Sequence, residues 1–279
     1  MNADPAGRTA AAGGADPEGA DPAGVDQARR LARALFPDAL AVVLAGSTAA
    51  GRAGATSDLD VAVLVKDGGE TYRETIRFEG RVVELFVHTR AGLEELFAAD
   101  VAARRGTLQS MYATGLVLLD VDGAAGRARA RAETDLRKGP PAWDPQTVET
   151  KRYVLTDALD DLSDAGDRIE RLAVAGVVLG AAAELLLEHH QAWSGGGKWL
   201  PRRLREADAR RGGALLEGHL HLCESGDPGP MLDAVSEILD LVGGPLREGY
   251  RRTWHGVIES LALPGTASGA PASAAAGRG

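Results

Sequence analysis

Between residues 25 and 35 the apolar positions Val25, Ala28, Leu31, Ala32 and Leu35 recur every three or four residues. That spacing predicts an amphipathic helix, which Pro37 stops. A continuous apolar run over 40–45 follows and predicts a buried strand, and Gly46-Ser47-Thr48 after it can open a short helix. The run 59–65 predicts a second strand. Residues 71–78 and 81–88 predict two more strands joined by a tight turn at Glu79-Gly80. Helices are expected over 91–103 and 107–114, then a short strand over 116–120 that closes in the turn Asp122-Gly123. Beyond Gly139-Pro140-Pro141 the period becomes helical throughout: 145–163, 167–193, 198–207, 213–224 and 229–242, with a last helix running into Trp254. Gly195-Gly196-Gly197 and Gly243-Gly244-Pro245 break that half.

The pattern predicts an α+β chain: a mixed-sheet domain over 25–138, then an α-helical bundle domain over 142–262. Residues 1–24 and 263–279 are Ala, Gly, Asp and Pro with no periodic apolar face, so both ends are expected to be disordered tails.

Composition narrows the function classes. The 279 residues are 44% hydrophobic but only 4% aromatic, so the cores must be built mainly from Ala, Val and Leu. A net charge of −9 argues against a broad nucleic-acid-binding surface, which shows a basic excess. The single cysteine, Cys223, excludes an internal disulfide framework and a four-cysteine zinc site, and a reducing cytoplasm is the expected compartment. No basic segment followed by an apolar one opens the chain, so no signal peptide is expected. The apolar run 172–187 is interrupted by Glu184 and bounded by Arg171 and Glu188. It reads as a buried helix, with no membrane partner expected.

The chemistry concentrates in Gly46-Ser47-Thr48 and in Ser57-Asp58-Leu59-Asp60. Alternation along a strand puts Asp58 and Asp60 on one face, with Leu59, Val61, Val63 and Val65 on the other. Two adjacent carboxylates repel each other unless a cation lies between them, and Mg2+ prefers such oxygens. Gly46 admits a close backbone approach to phosphate. Glu84 is the one acid in the apolar run 82–87, where a bound metal would satisfy it.

These residues, from Leu44 to Val65 together with Glu84, resemble the nucleotidyltransferase superfamily that includes DNA polymerase β and the aminoglycoside nucleotidyltransferases. The resemblance implies that Gly46 and Ser47 contact a triphosphate. It implies that Asp58 and Asp60 bind metal and that Glu84 is the third acid, as metal ligand or general base. Many relatives have Asp at that third place. The segment Ser194-Gly195-Gly196-Gly197-Lys198-Trp199 is similar to a Gly-Lys segment in the helical domain of streptomycin-type adenylyltransferases, which implies a phosphate contact for Lys198. The implied reaction moves a nucleoside monophosphate, AMP from ATP, with Mg2+, to the hydroxyl of a small acceptor such as an aminoglycoside-type antibiotic. A protein acceptor, as for antitoxin-like members, and a non-catalytic nucleotide-binding regulator are the alternatives. A glycosyltransferase using Asp-x-Asp would need a longer α/β segment before Asp58.

Other polar features have plainer readings. Asp120-Val121-Asp122 reads as turn chemistry, His88 as a satisfied structural histidine, Arg52 as a solvated loop residue, and Arg202, Arg203, His189 and His190 as helix surface.

Overall fold

The computed structural model describes residues 19–54 and 57–253. Most of both expected tails, and the end of the expected last helix at Trp254, lie outside the described residues.

Helix α1 (Pro22–Leu35) begins inside the segment expected as tail. Asp21 caps it through Ala23 N, Pro22 occupies its first turn, and Gly24, Val25, Ala28, Leu31 and Ala32 are buried. A Cβ on Gly24 would lie 2.5 Å from Thr48 Cγ2, so glycine is what allows the helix to sit against the neighbouring turn.

Strands β1 (Ala41–Ala45), β2 (Leu59–Leu64), β3 (Tyr72–Phe78), β4 (Arg81–His88) and β5 (Leu116–Asp120) form one sheet in the order β3-β4-β2-β1-β5. Only β2 and β4 run parallel. The hairpin β3–β4 closes through Glu79 and Gly80, both at positive φ, as its two-residue loop requires. Every residue of β1 is buried, because the sheet is covered on both faces. On one face α1 packs on Val42, Leu44, Leu59, Val61, Val63, Val83, Leu85 and Val87. On the other, Ala41, Val43, Ala62 and Leu64 meet Leu93 and Phe97 of α3 (Arg90–Ala102), Tyr112 of α4 (Thr107–Thr114) and the alanines of α5 (Ala124–Lys138).

Helix α5 is absent from the apolar pattern. Its buried stripe is Ala124, Ala125, Ala128 and Ala132, between arginines and acids, and alanine hardly registers as hydrophobic while strongly favouring helix. Asp120 caps it through Ala125 N and Gly126 N, so the second Asp-x-Asp does serve a turn.

The helical half contains α6 (Pro145–Asp164), α7 (Arg168–His189), α8 (Leu200–Ala207), α9 (Ala209–Ser225) and α10 (Gly229–Leu241). Leucine and alanine side chains from all five form a separate core. Four local readings change. The expected helix 167–193 ends at His189, and Gln191 turns the chain with φ 50°. Residues 198–199 belong to a single 3-10 turn ahead of α8. Helix α9 begins at Ala209, since Asp208 caps it through Arg211 N, and runs through Gly212 and Gly213. No helix forms over 243–253, where three glycines stand at positive φ. Helix α7, at 22 residues, is long and apolar enough to cross a membrane by composition. Ala175, Val178, Ala182, Ala183 and Leu185–Leu187 make its buried side the spine of the bundle.

Candidate active site

Strand β1 ends at Ala45, and the chain turns through Gly46 at φ +70° into the single turn α2 (Gly46–Ala49). A Cβ on Gly46 would fall on Asp60 Oδ2, so only glycine can stand there while Asp60 keeps its place. Antiparallel pairing sets Ala45 opposite Asp60, and parallel pairing sets Asp60 beside Glu84. Residues paired across strands project to the same face. Asp58, one residue ahead of β2, joins them. One carboxylate oxygen from each of Asp58, Asp60 and Glu84 lies within 4.8 Å of the others, and all three residues are half-buried.

Thr48 and Arg81 hold this corner together. Thr48 is fully buried, and its hydroxyl donates to Asp58 O at 3.4 Å. Arg81 donates to Ser57 O at 2.9 Å, to Thr48 Oγ1 at 3.1 Å and to Asp21 Oδ2 at 3.4 Å. One guanidinium therefore ties the start of α1 to the Gly-Ser turn and to the segment that delivers Asp58. No sequence motif points to Arg81, whose role arises from long-range contacts. A cavity of about 830 Å³ opens beside this corner, lined by Asp21, Ser57, Arg77, Arg81 and Val82, and it does not include the three carboxylates.

Asp60 is the electrostatically strained member of the trio. Burial, then the neighbouring Asp58 and Glu84 charges, raise the Asp60 pKa to about 6, while Lys198 and Arg73 act to lower it. Arg73 on β3 makes an ion pair with Glu84 Oε2 at 2.6 Å, and its guanidinium lies 4.8 Å from the centre of the Phe86 ring. Lys198, from the helical half, acts electrostatically on Asp60, an influence that the sequence order alone does not reveal. His88, on the Glu84 face of β4, is buried with Nδ1 3.0 Å from the Tyr112 hydroxyl, and burial lowers its pKa to about 4. It is a satisfied core residue. Arg202, exposed on the helix surface, and the partly buried Arg203 flank the Trp199 ring, with guanidinium carbons 4.9 and 5.8 Å from its centre.

The donor set suits a hard divalent cation: three carboxylates converge with too little positive charge in contact to neutralise them. Set beside a glycine-led turn at the end of a strand in a mixed sheet, such carboxylates characterise an enzyme that handles nucleotide phosphates. Residues 25–105 match the family model of the nucleotidyltransferase domain. A solved nucleotidyltransferase-like protein from Exiguobacterium sibiricum 255-15 is 10% identical, with 77% of this chain and 74% of that one covered and a TM-score of 0.41. No curated protein matches the chain. Residues 25–105 thus carry a nucleotidyltransferase domain. Domains of this kind use a nucleoside triphosphate and, typically, a divalent metal.

Proposed function

We propose that the protein transfers AMP from ATP, with Mg2+, to a hydroxyl group of a small acceptor, an aminoglycoside-type antibiotic being the leading candidate. The convergence of Asp58, Asp60 and Glu84 within 4.8 Å carries this reading. Asp58, Asp60 and Glu84 hold the metal, Gly46 and Ser47 face the triphosphate, and Lys198 meets its phosphates. When bound, Mg2+ offsets charge on the phosphate oxygens and on departing pyrophosphate. The acceptor oxygen attacks the α-phosphorus, the bond to the β-phosphate oxygen breaks, and pyrophosphate leaves. The hydroxyl proton passes to Glu84 or to solvent. Gly46 keeps the backbone close to the phosphates, and Arg73 fixes one oxygen of Glu84. The helical half supplies Lys198 and the substrate-side wall, since ligand sites favour the junction of two domains. The cellular ATP pool places the reaction in the cytoplasm, and a drug acceptor would make the protein an antibiotic-resistance enzyme.

Pyrophosphate release from ATP and Mg2+, measured across a panel of aminoglycosides and other hydroxylated molecules, tests this. Release should need one acceptor and vanish in Asp60→Asn. If ATP binds but no small molecule supports release, the acceptor is a protein side chain or the role is regulatory. Full turnover in folded Asp60→Asn would refute the site.

A further inference from the structure

We propose that Arg104 is a positioning residue that seats the glycine-rich segment carrying Lys198 against the sheet half, and so sets nucleotide affinity. This rests on the phosphate role of Lys198 proposed above.

Arg104 follows α3 in a left-handed conformation, φ 59°, where glycine is the usual occupant. The turn around it is closed by Arg104 N→Val101 O at 2.8 Å and Arg105 N→Asp100 O at 3.0 Å. Asp100, itself buried, accepts from Leu108 N at 2.9 Å and so braces the link to α4. A long charged side chain in a glycine conformation, on a rigid turn, calls for a use of that side chain.

That use is contact with the helical half. Arg104 is 9% exposed and forms an ion pair at 2.6 Å with Glu188, which is 6% exposed, in the last turn of α7. The other Glu188 oxygen, Oε1, accepts from Trp143 N and Gln191 Nε2, each at 2.9 Å. The same guanidinium donates to Pro141 O and lies 5.2 Å from the Trp143 ring centre. It thereby grips the linker and the end of α7 together. The Arg104 carbonyl accepts from both Ser194 N and Ser194 Oγ, each at 2.8 Å. Trp193 is buried against Gly106, where a Cβ would lie 2.9 Å from its ring, and its Nε1 donates to Leu136 O at 3.3 Å.

Every group that fixes Ser194 belongs to this junction, and Lys198 stands four residues beyond it. Between them lie Gly195, Gly196 and Gly197, which have no side chains, so Lys198 is placed by Ser194 on one side and by the turn into α8 on the other. Gly195 packs instead on Trp199 and Arg203. A purely adhesive junction is served as well by apolar groups as by a buried ion pair. The planar guanidinium spans two partners at once, Nη2 beside Glu188 Oε2 and Nη1 donating to Pro141 O. The Lys198 charge already acts on Asp60 in this arrangement.

The test measures binding of ATP·Mg2+ by calorimetry, with steady-state kinetics where an acceptor is in hand, for wild type, Arg104→Lys, Lys198→Ala and the double variant. Arg104→Lys keeps the charge facing Glu188 and loses the fork. It should weaken ATP·Mg2+ binding about five- to tenfold, raise KM for ATP and leave kcat at saturation nearly unchanged. In the Lys198→Ala background it should add nothing. Ser194→Ala removes one of the two hydrogen bonds to the Arg104 carbonyl and should act in the same direction. It serves as the test if Arg104→Lys does not fold. Equal weakening in both backgrounds, or a fall in kcat with KM constant, would mean that Arg104 merely holds the fold, and the inference fails alone. If Lys198→Ala binds ATP·Mg2+ as tightly as wild type, the assignment of Lys198 falls as well.

Discussion

Asp60 shows most clearly how function opposes stability in this molecule. Its carboxylate is partly removed from water and faces two others, so without metal the folded chain bears a charge it would bind more easily as a protonated acid. A raised acid pKa destabilises the fold at pH values above it, and the penalty shrinks as pH falls through about 6. Asp60→Asn removes that penalty. With residual solvent screening discounted, the gain is about 1 kcal/mol, or about 2–4 °C in Tm for a chain of this size. Calorimetry in EDTA should show the variant melting above wild type. If the proposed site is right, saturating Mg2+ should reverse the order, because only wild type retains all three carboxylates. A variant that melts below wild type in EDTA would show that Asp60 is held by contacts rather than strained by neighbours. The convergence of this residue with Asp58 beside Gly46 was readable in the sequence, because strand alternation is a local rule. Arg81 and Arg104 were not readable. Each earns its place through partners dozens of residues away, such as Ser57 for Arg81 and Glu188 for Arg104.

Elements with strong periodicity were legible in proportion to the size of their side chains. Strands β1, β2 and β4 and helices α1, α6, α7 and α10 bury Val, Leu or Ile, and their positions follow from the pattern. Helix α5 buries only alanine and was missed. Helix α9 was placed too late because its glycines look like a break. In fact Gly212 and Gly218 are contact points: a Cβ on Gly212 would lie 2.5 Å from Leu204 O, and one on Gly218 would lie 2.8 Å from Met231 Cα. Both neighbours are backbone and cannot swing aside. Gly218→Ala should therefore destabilise the bundle by about 1–3 kcal/mol despite alanine's better helix propensity. Urea unfolding measures this, and a more stable variant would show that α9 and α10 can separate freely.

For the whole molecule, the acid limit of stability follows from a second buried group. Burial lowers the His88 pKa from 6.5 to about 4, so the unfolded chain takes up a proton there that the folded chain refuses. This contribution is complete above pH 6.5 and is lost as pH falls toward 4, at about 2 kcal/mol between pH 7 and 5 by linkage. Asp60 acts in the opposite direction over part of that range, so the His88 contribution is read as the difference between wild type and His88→Gln. Denaturant titrations at pH 7 and 5 should show the wild type losing more stability than the variant. Equal losses would place the acid sensitivity elsewhere.

The sequence by itself determined the α+β character, the change to helices after residue 139, and the acids and glycine of the candidate site. All of these follow from interactions within a few residues or from the fixed period of a strand or helix. Tertiary structure alone decided the strand order that sets Asp60 between Ala45 and Glu84, the turn that gives Arg104 its grip, and the approach of Lys198 to acids more than a hundred residues earlier. Those depend on which surfaces pack together, and packing is selected by the complementarity of whole faces, which no local pattern encodes.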